Sequence, residues 1–480
     1  MKRLLLLFLL STAALVAVPA ANAVTIGVNT TDDTYGGSPG SCSLREAITA
    51  VQTNAAFDGC PAGSGADRIS LPAGEYRITR AGAGENFNST GDFDIDSPDA
   101  LTIESANSDA KVSISGNGID RVFDKSGLGS LSLSFLQVKD GDTPPVEDGG
   151  GIRHGNGSLS LESVTVAGNK ATIDGGGVVN YATMSAVNST ISGNEANGSG
   201  GGLYAPGGSV TNLGSSTIAG NSADADANGN GDGGGFRESG NTTFRNVINA
   251  GNEDRSPNAG DKSPDCYSGA LFFPRFVVQT QQLQAGTCLT AFNPPENKSG
   301  VDALVGPLAD NGGQTPTHAL LEGSPAIGAG GTGNLDVCPP VDQTGRSRPA
   351  GSCDIGAVQY VAPTPPPPLG IVVKIGKVKP KVLKLKRGKK TKKVSIAVST
   401  AGGPAALNTK LCLKPTKAIR KALRVKGKLC RKLGTLAGAK TVRFRIAARK
   451  KARKKTFRLK AVLSATDAAS KTRKIKVKVK

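Results

Sequence analysis

The chain has 480 residues, with no Trp, two His, two Met and a formal net charge of +20. That composition argues against a haem pocket, a multi-histidine metal centre and an aromatic cage, because it is poor in the residues that usually build them. The charge is split: residues 361–480 hold 38 of the 58 basic residues against one acid, Asp467, for a net of +37, whereas residues 1–360 hold 20 basic and 37 acidic residues, a net of −17. Fifty-six of the 64 glycines also precede residue 361, so an acidic, glycine-rich part is joined to a lysine-rich one.

Lys2 and Arg3 precede an apolar run from Leu4 to Val18, and Ala21-Asn22-Ala23 has the small-x-small pattern of a signal-peptidase site. These features predict a cleaved signal over residues 1–23. The run is shorter than the roughly 20 residues that a membrane span needs, and no transmembrane segment is expected. Export implies an oxidising compartment, where an even number of cysteines forms disulfides. All eight cysteines fall in neighbouring pairs, so proximity predicts Cys42 with Cys60, Cys266 with Cys288, Cys338 with Cys353 and Cys412 with Cys430.

Ser43 and Glu46 have capping-box spacing, and Leu44, Ala47, Ile48 and Val51 lie on one helical face, which predicts a short helix plugging the first turn of whatever follows. Short apolar-alternating strands are expected around Ile69–Leu71, Phe93–Ile95, Leu101–Ile103 and Val112–Ile114. A repeat then takes over. SLSLESVTVAGN, TMSAVNSTISGN and VTNLGSSTIAGN align without gaps and end at Asn169, Asn194 and Asn221, with triple glycines at 149–151, 175–177, 200–202 and 233–235, a period of 25 to 33 residues. Alternating apolar residues such as Leu159, Leu161, Val164 and Val166 read as strands with one buried face, and Gly-Asn and Gly-Gly-Gly read as tight turns. Helix-forming stretches are missing from the copies, so a parallel β-helix fits better than a leucine-rich repeat or a propeller. Asn169, Asn194 and Asn221 should stack as a ladder.

Residues 361–369 contain Pro-Thr-Pro-Pro-Pro-Pro, an extended spacer. Beyond it, Val382–Lys386, Val442–Ile446 and Lys474–Lys480 alternate apolar with basic residues, which predicts a small β-sandwich over 370–480 with a short helix near Thr416–Leu423. The fold class expected is therefore all-β: a right-handed parallel β-helix followed by a small basic β-sandwich.

SCSLREAI at Ser41–Ile48 resembles the N-terminal motif of the CSLREA domain, and the triple-glycine coils are similar to repeats of polymorphic outer-membrane proteins. GPLADNGGQTPTHALLEGSPAIGAG at Gly306–Gly330, with DQTGRSRP and CDIGAVQY after it, resembles the choice-of-anchor Q domain. The resemblance covers about residues 24–360. It implies an exported or surface-displayed right-handed β-helix with a Q-type cap, and no common activity. The chain departs from the family by ending in a basic segment.

Candidate chemistry is sparse. Asp92, Asp94 and Asp96 alternate with Phe93 and Ile95 and are placed on one face, where they could bind calcium, act as acid and base, or simply be hydrated. Asp224, Asp226 and Asn228, followed by Gly229, match the first half of a calcium loop, but Gly235 stands where the twelfth-position Glu belongs, so a polar coil insertion competes with the metal reading. His154 and His318 are isolated, and no catalytic triad or organic cofactor site is expected. The +37 segment should attract polyanions unless its lysines serve only as a solvated sheet face, and export together with missing interleaved aromatics points to anionic envelope polymer, acidic polysaccharide, lipid headgroups or the chain's own acidic β-helix rather than nucleic acid. The leading expectation is a non-enzymatic exported β-helix acting in adhesion, envelope organisation or glycan binding. The alternative is a polysaccharide lyase or glycoside hydrolase on the same coil, and an outward groove of clustered Asp, Arg and Lys would favour it.

Overall fold

The computed structural model describes residues 23–82, 84–257, 263–269, 271–280, 296–331, 338–349, 351, 353–362, 372–401, 405–426, 429–466 and 468–480. Most of the expected signal, Cys288, most of the proline-rich spacer and Asp467 lie outside these residues. The chain divides into two units, the first ending at Val361 and the second beginning at Ala362.

The first unit is a parallel β-helix. Each full coil supplies one strand to each of three walls, and every strand pairs in parallel with its counterpart one coil away. The first wall includes Ser130–Ser134, Ser158–Glu162, Thr183–Val187 and Val210–Gly214, the second Gln137–Lys139, Thr165–Ala167, Thr190–Ser192 and Thr217–Ala219. The third runs through Phe93–Ile95, Phe123–Lys125, Ile152–His154, Val178–Asn180, Leu203–Ala205, Phe236–Glu238 and Cys266–Ser268.

Pairing without slippage puts like residues above one another. Leu133, Leu161, Ala186, Leu213 and Phe244 form one buried column, and Val138, Val166, Ile191 and Ile218 form another. The predicted asparagine ladder is present: Asn169 Nδ2 donates to Asn194 Oδ1 at 2.9 Å, Asn194 Nδ2 to Asn221 Oδ1 at 2.9 Å, and Asn221 Nδ2 to Asn252 Oδ1 at 2.9 Å. Each Oδ1 also accepts the backbone N–H of the preceding asparagine at 3.0 Å, a buried donor that a stack of apolar residues would leave unpaired. Glycine is required in the triplets by crowding: a Cβ on Gly176 or Gly201 would strike the carbonyl oxygen of Glu195 or Ser222 in the adjoining coil.

The helix Leu44–Thr53 carries the predicted capping box, with Glu46 N donating to Ser43 Oγ at 3.1 Å and Ser43 N to Glu46 Oε2 at 2.9 Å. Its face of Leu44, Ala47, Ile48 and Val51 joins the same apolar core as the first coils, and Cys42 is bonded to Cys60 beside it. Cys338–Cys353 and Cys412–Cys430 are also disulfides. Cys266 is disulfide-bonded too, and its expected partner lies outside the described residues.

The segment from Val305 onward returns along the side of the coil. Its hairpin, Val305–Ala309 with Thr317–Leu320, and the following loop reach the outward edge of successive coils: Thr165 Oγ1 donates to Pro316 O, Gln343 bonds Thr165 and Thr190, Arg348 bonds Asn188, and Ala357 N donates to Thr217 Oγ1. His318, isolated in sequence, bridges Ser192 Oγ at 2.8 Å and Gly306 O at 2.7 Å in this contact.

The second unit is a sandwich of a four-stranded and a five-stranded sheet around Val394, Ile396, Leu411, Phe444, Leu459, Ile475 and Val477. The predicted strands correspond to Val382–Leu385, Ala439–Ala448 and Ala468–Val479, and the short helix is Lys417–Ala422 with Thr416 as its N-cap. Among the described residues no helix is long and apolar enough to cross a membrane.

Candidate functional site

The third wall carries a line of charged and aromatic residues on its outward face. In each coil the first strand residue turns inward and the second outward, a consequence of the two-residue period of a strand. The inward column is Phe93, Phe123, Ile152, Val178, Leu203 and Phe236, and the corresponding outward positions are Asp94, Asp124, Arg153, Val179, Tyr204 and Arg237, with Tyr267 one coil further on.

At its N-terminal end the strip has a carboxylate cluster. Oxygens of Asp92, Asp94 and Asp124 all lie within 4.8 Å of one another, and the three residues are buried. Burial, reinforced by the Asp94 charge, holds Asp92 well above the usual carboxylate range. Asp94 is pushed up to about 7, chiefly by burial and further by Asp124 and Glu85, against the pull of the Asn88 N–H that it accepts at 2.9 Å. Burial also raises Asp120 and draws the nearby Lys125 ammonium down to about 8.

The capping helix positions this floor. Arg45, buried and paired with Asp33 at 2.6 Å, donates to the carbonyls of Gly91 and Asp92 at 2.7 and 2.9 Å. Gln52 donates to Asp94 O at 2.9 Å and accepts from Asp96 N at 2.6 Å. The strand ends at Ile95, and Asp96 is exposed and stands outside the cluster. Asp124, from the next coil, takes the third place.

Arginines roof the carboxylates. Arg121 Nε meets Asp92 Oδ2 at 2.8 Å and its other nitrogens reach Glu147 and the Asp148 carbonyl, while Arg153 bridges Asp124 at 3.2 Å and Asp148 at 3.3 Å. Tyr181 donates its hydroxyl to Asp148 and lies under the Arg153 guanidinium, 5.7 Å from ring centre. Further along, the Arg237 guanidinium stands over the rings of Tyr204 and Tyr267 at 5.7 and 5.0 Å. Two exposed apolar side chains rise from loops that supply this floor: Phe87, 83% exposed, precedes Asn88, and Val146, 82% exposed, precedes Glu147. The arrangement offers forked donors, carboxylate acceptors and flat apolar surfaces along one line, the elements from which a polyhydroxylated chain is gripped.

Sequence reasoning found Asp92 and Asp94 and missed Arg121, Asp124, Asp148, Arg153, Tyr181, Tyr204, Arg237 and Tyr267. The signal was available: the second residue after each glycine triplet is Arg153, Val179, Tyr204 or Arg237, the outward position of that strand.

In the half calcium loop the oxygens serve the loop itself. Asp224 Oδ1 accepts from Asn228 N and Oδ2 from Gly229 N, both at 2.9 Å, and Asp226 Oδ2 accepts from Asn228 Nδ2 at 2.8 Å. The arrangement closes a polar coil insertion.

No protein-family model and no curated protein matches the chain. Among solved structures, the crystal structure of the pectate lyase Pel9A is similar over 72% of this chain and 98% of that one, with 12% sequence identity and a TM-score of 0.39.

Proposed function

We propose that this is an exported or surface-held β-helix protein that binds glycan along the outward face of its third wall, and whose basic second unit contacts anionic polymer. The observation that carries the reading is the strip itself: arginines, tyrosines and carboxylates from successive coils aligned in one direction, as an extended saccharide needs. The disulfides and the resemblance of residues 41–48 and 306–360 to CSLREA and choice-of-anchor Q proteins support the exported setting. Glycan-array binding by the full chain tests it. Arg153→Ala and Tyr204→Ala should each weaken the captured glycan about tenfold, as loss of one forked or stacking contact does; unchanged binding by both variants sinks the strip as the binding surface.

One observation favours hydrolysis as a second reading. Asp94, held near 7 beside Asp124, is poised to carry a proton at neutral pH, as a general acid must. Its burial under Arg153 and Arg121 limits access, which places binding first. Asp94→Asn should abolish product release from any array glycan that the chain cleaves and leave its capture intact. Absence of cleavage by the unaltered chain removes this reading.

A further inference from the structure

We infer that the outward face of the five-stranded sheet in the second unit is a dedicated binding face for linear acidic polysaccharide. The inference rests on the reading that this unit contacts polyanions and assigns that contact to one surface. Lys474, Lys460 and Lys414 stand directly opposite one another on three adjacent strands, and Lys476 stands opposite Arg458 in the next outward row. All five are exposed, and their alternating neighbours Leu459, Ile475 and Val477 are buried, so the cations share the solvent side. With Lys478 they form a lattice spaced about 4.8 Å across strands and about 6.8 Å along them.

Like charges directly opposite in a sheet are destabilising, and the whole segment from 361 to 480 has a single acid to offset them. A lattice kept in register against that repulsion is matched by a ligand with repeating negative charge. The other sheet is also basic, but its lattice is broken: Lys393, Arg445 and Lys426 line up, while the central strand continues outward with Ser395, Ala397 and Ser399. Both phenylalanines of the unit, Phe444 and Phe457, are buried, and the unit has no Tyr or Trp, so the face has nothing on which unpaired bases would stack. A surface of cations without aromatic platforms among its described residues reads charge spacing along a backbone, which suits a polyuronate.

The full chain is titrated with polygalacturonate, neutral dextran and a short DNA duplex at low and high salt. Polygalacturonate should bind at low salt and release toward 1 M, where the Debye length is about 3 Å, and dextran should not compete. The exposed triple variant K414Q/K460Q/K474Q should bind about tenfold more weakly, the combined effect of three surface charges. The charge-matched K393Q/R445Q/K426Q should stay within about twofold. Because it relieves repulsion, K460Q alone should melt no lower than the unaltered chain, which confirms that the fold is kept. Equal weakening by the two triple variants overturns the dedicated face and leaves a diffuse field. Tighter binding of the duplex than of polygalacturonate at equal salt overturns the polysaccharide assignment. No binding of any polyanion at low salt overturns the underlying reading as well.

Discussion

Asp94 shows how a side chain can be placed against its own preference. Burial and the Asp124 charge raise its folded pKa to about 7 from an ordinary 3.8. The native state therefore favours the protonated form. Its contribution to stability is fully present below about pH 4 and is lost as pH rises through 7. Asp94→Asn keeps an oxygen for the Asn88 N–H and removes the ionisation. It should match the unaltered chain near pH 4 and be more stable at pH 8 by about 4 kcal/mol, read as a melting-temperature difference that opens with pH. A difference independent of pH would show that the carboxyl is charged and satisfied in place. Stability given up at such a position is characteristic of a site kept for binding or chemistry.

Elements were legible in sequence to the degree that their cause was local. Ser43 and Glu46 identified the helix because capping depends on residues three apart, and Leu159, Leu161, Val164 and Val166 identified inward faces because a strand alternates. Each of these four is buried. Val166→Asp or Ile191→Asp would place a charge in the column between rungs at a cost of several kcal/mol, and cooperative unfolding of the first unit should be lost; a melting curve that stays sharp and unshifted would reassign that wall. The strip was not legible because its members are brought together by coil stacking: Asp94, Asp124 and Arg153 occupy adjacent rungs but lie about thirty residues apart along the chain. Asp96 is exposed and its place beside Asp92 and Asp94 is taken by Asp124, which stacking brings in from the next coil.

At the scale of the molecule the decisive quantity is the division of charge. A net of −17 over residues 1–360 and +37 over 361–480 gives every copy two poles able to attract the opposite pole of another. Light scattering by the purified chain should rise as salt is lowered, when the Debye length lengthens toward 30 Å at 0.01 M, and collapse again near 0.15 M and above. Scattering insensitive to salt would mean that the poles are neutralised within each molecule. The total of +20 conceals this behaviour, which only the position of the charges along the chain discloses.

The return of the segment after Val305 along the coil has a mechanical consequence. Its bonds to Thr165, Asn188, Thr190, Ser192 and Thr217 are distributed over three coils rather than confined to the last. Tension entering at Val361 is thus shared among several rungs, which resist together in shear, instead of peeling the terminal coil one hydrogen bond at a time. A pull applied there would reach the middle of the stacked coil without unravelling it from the end.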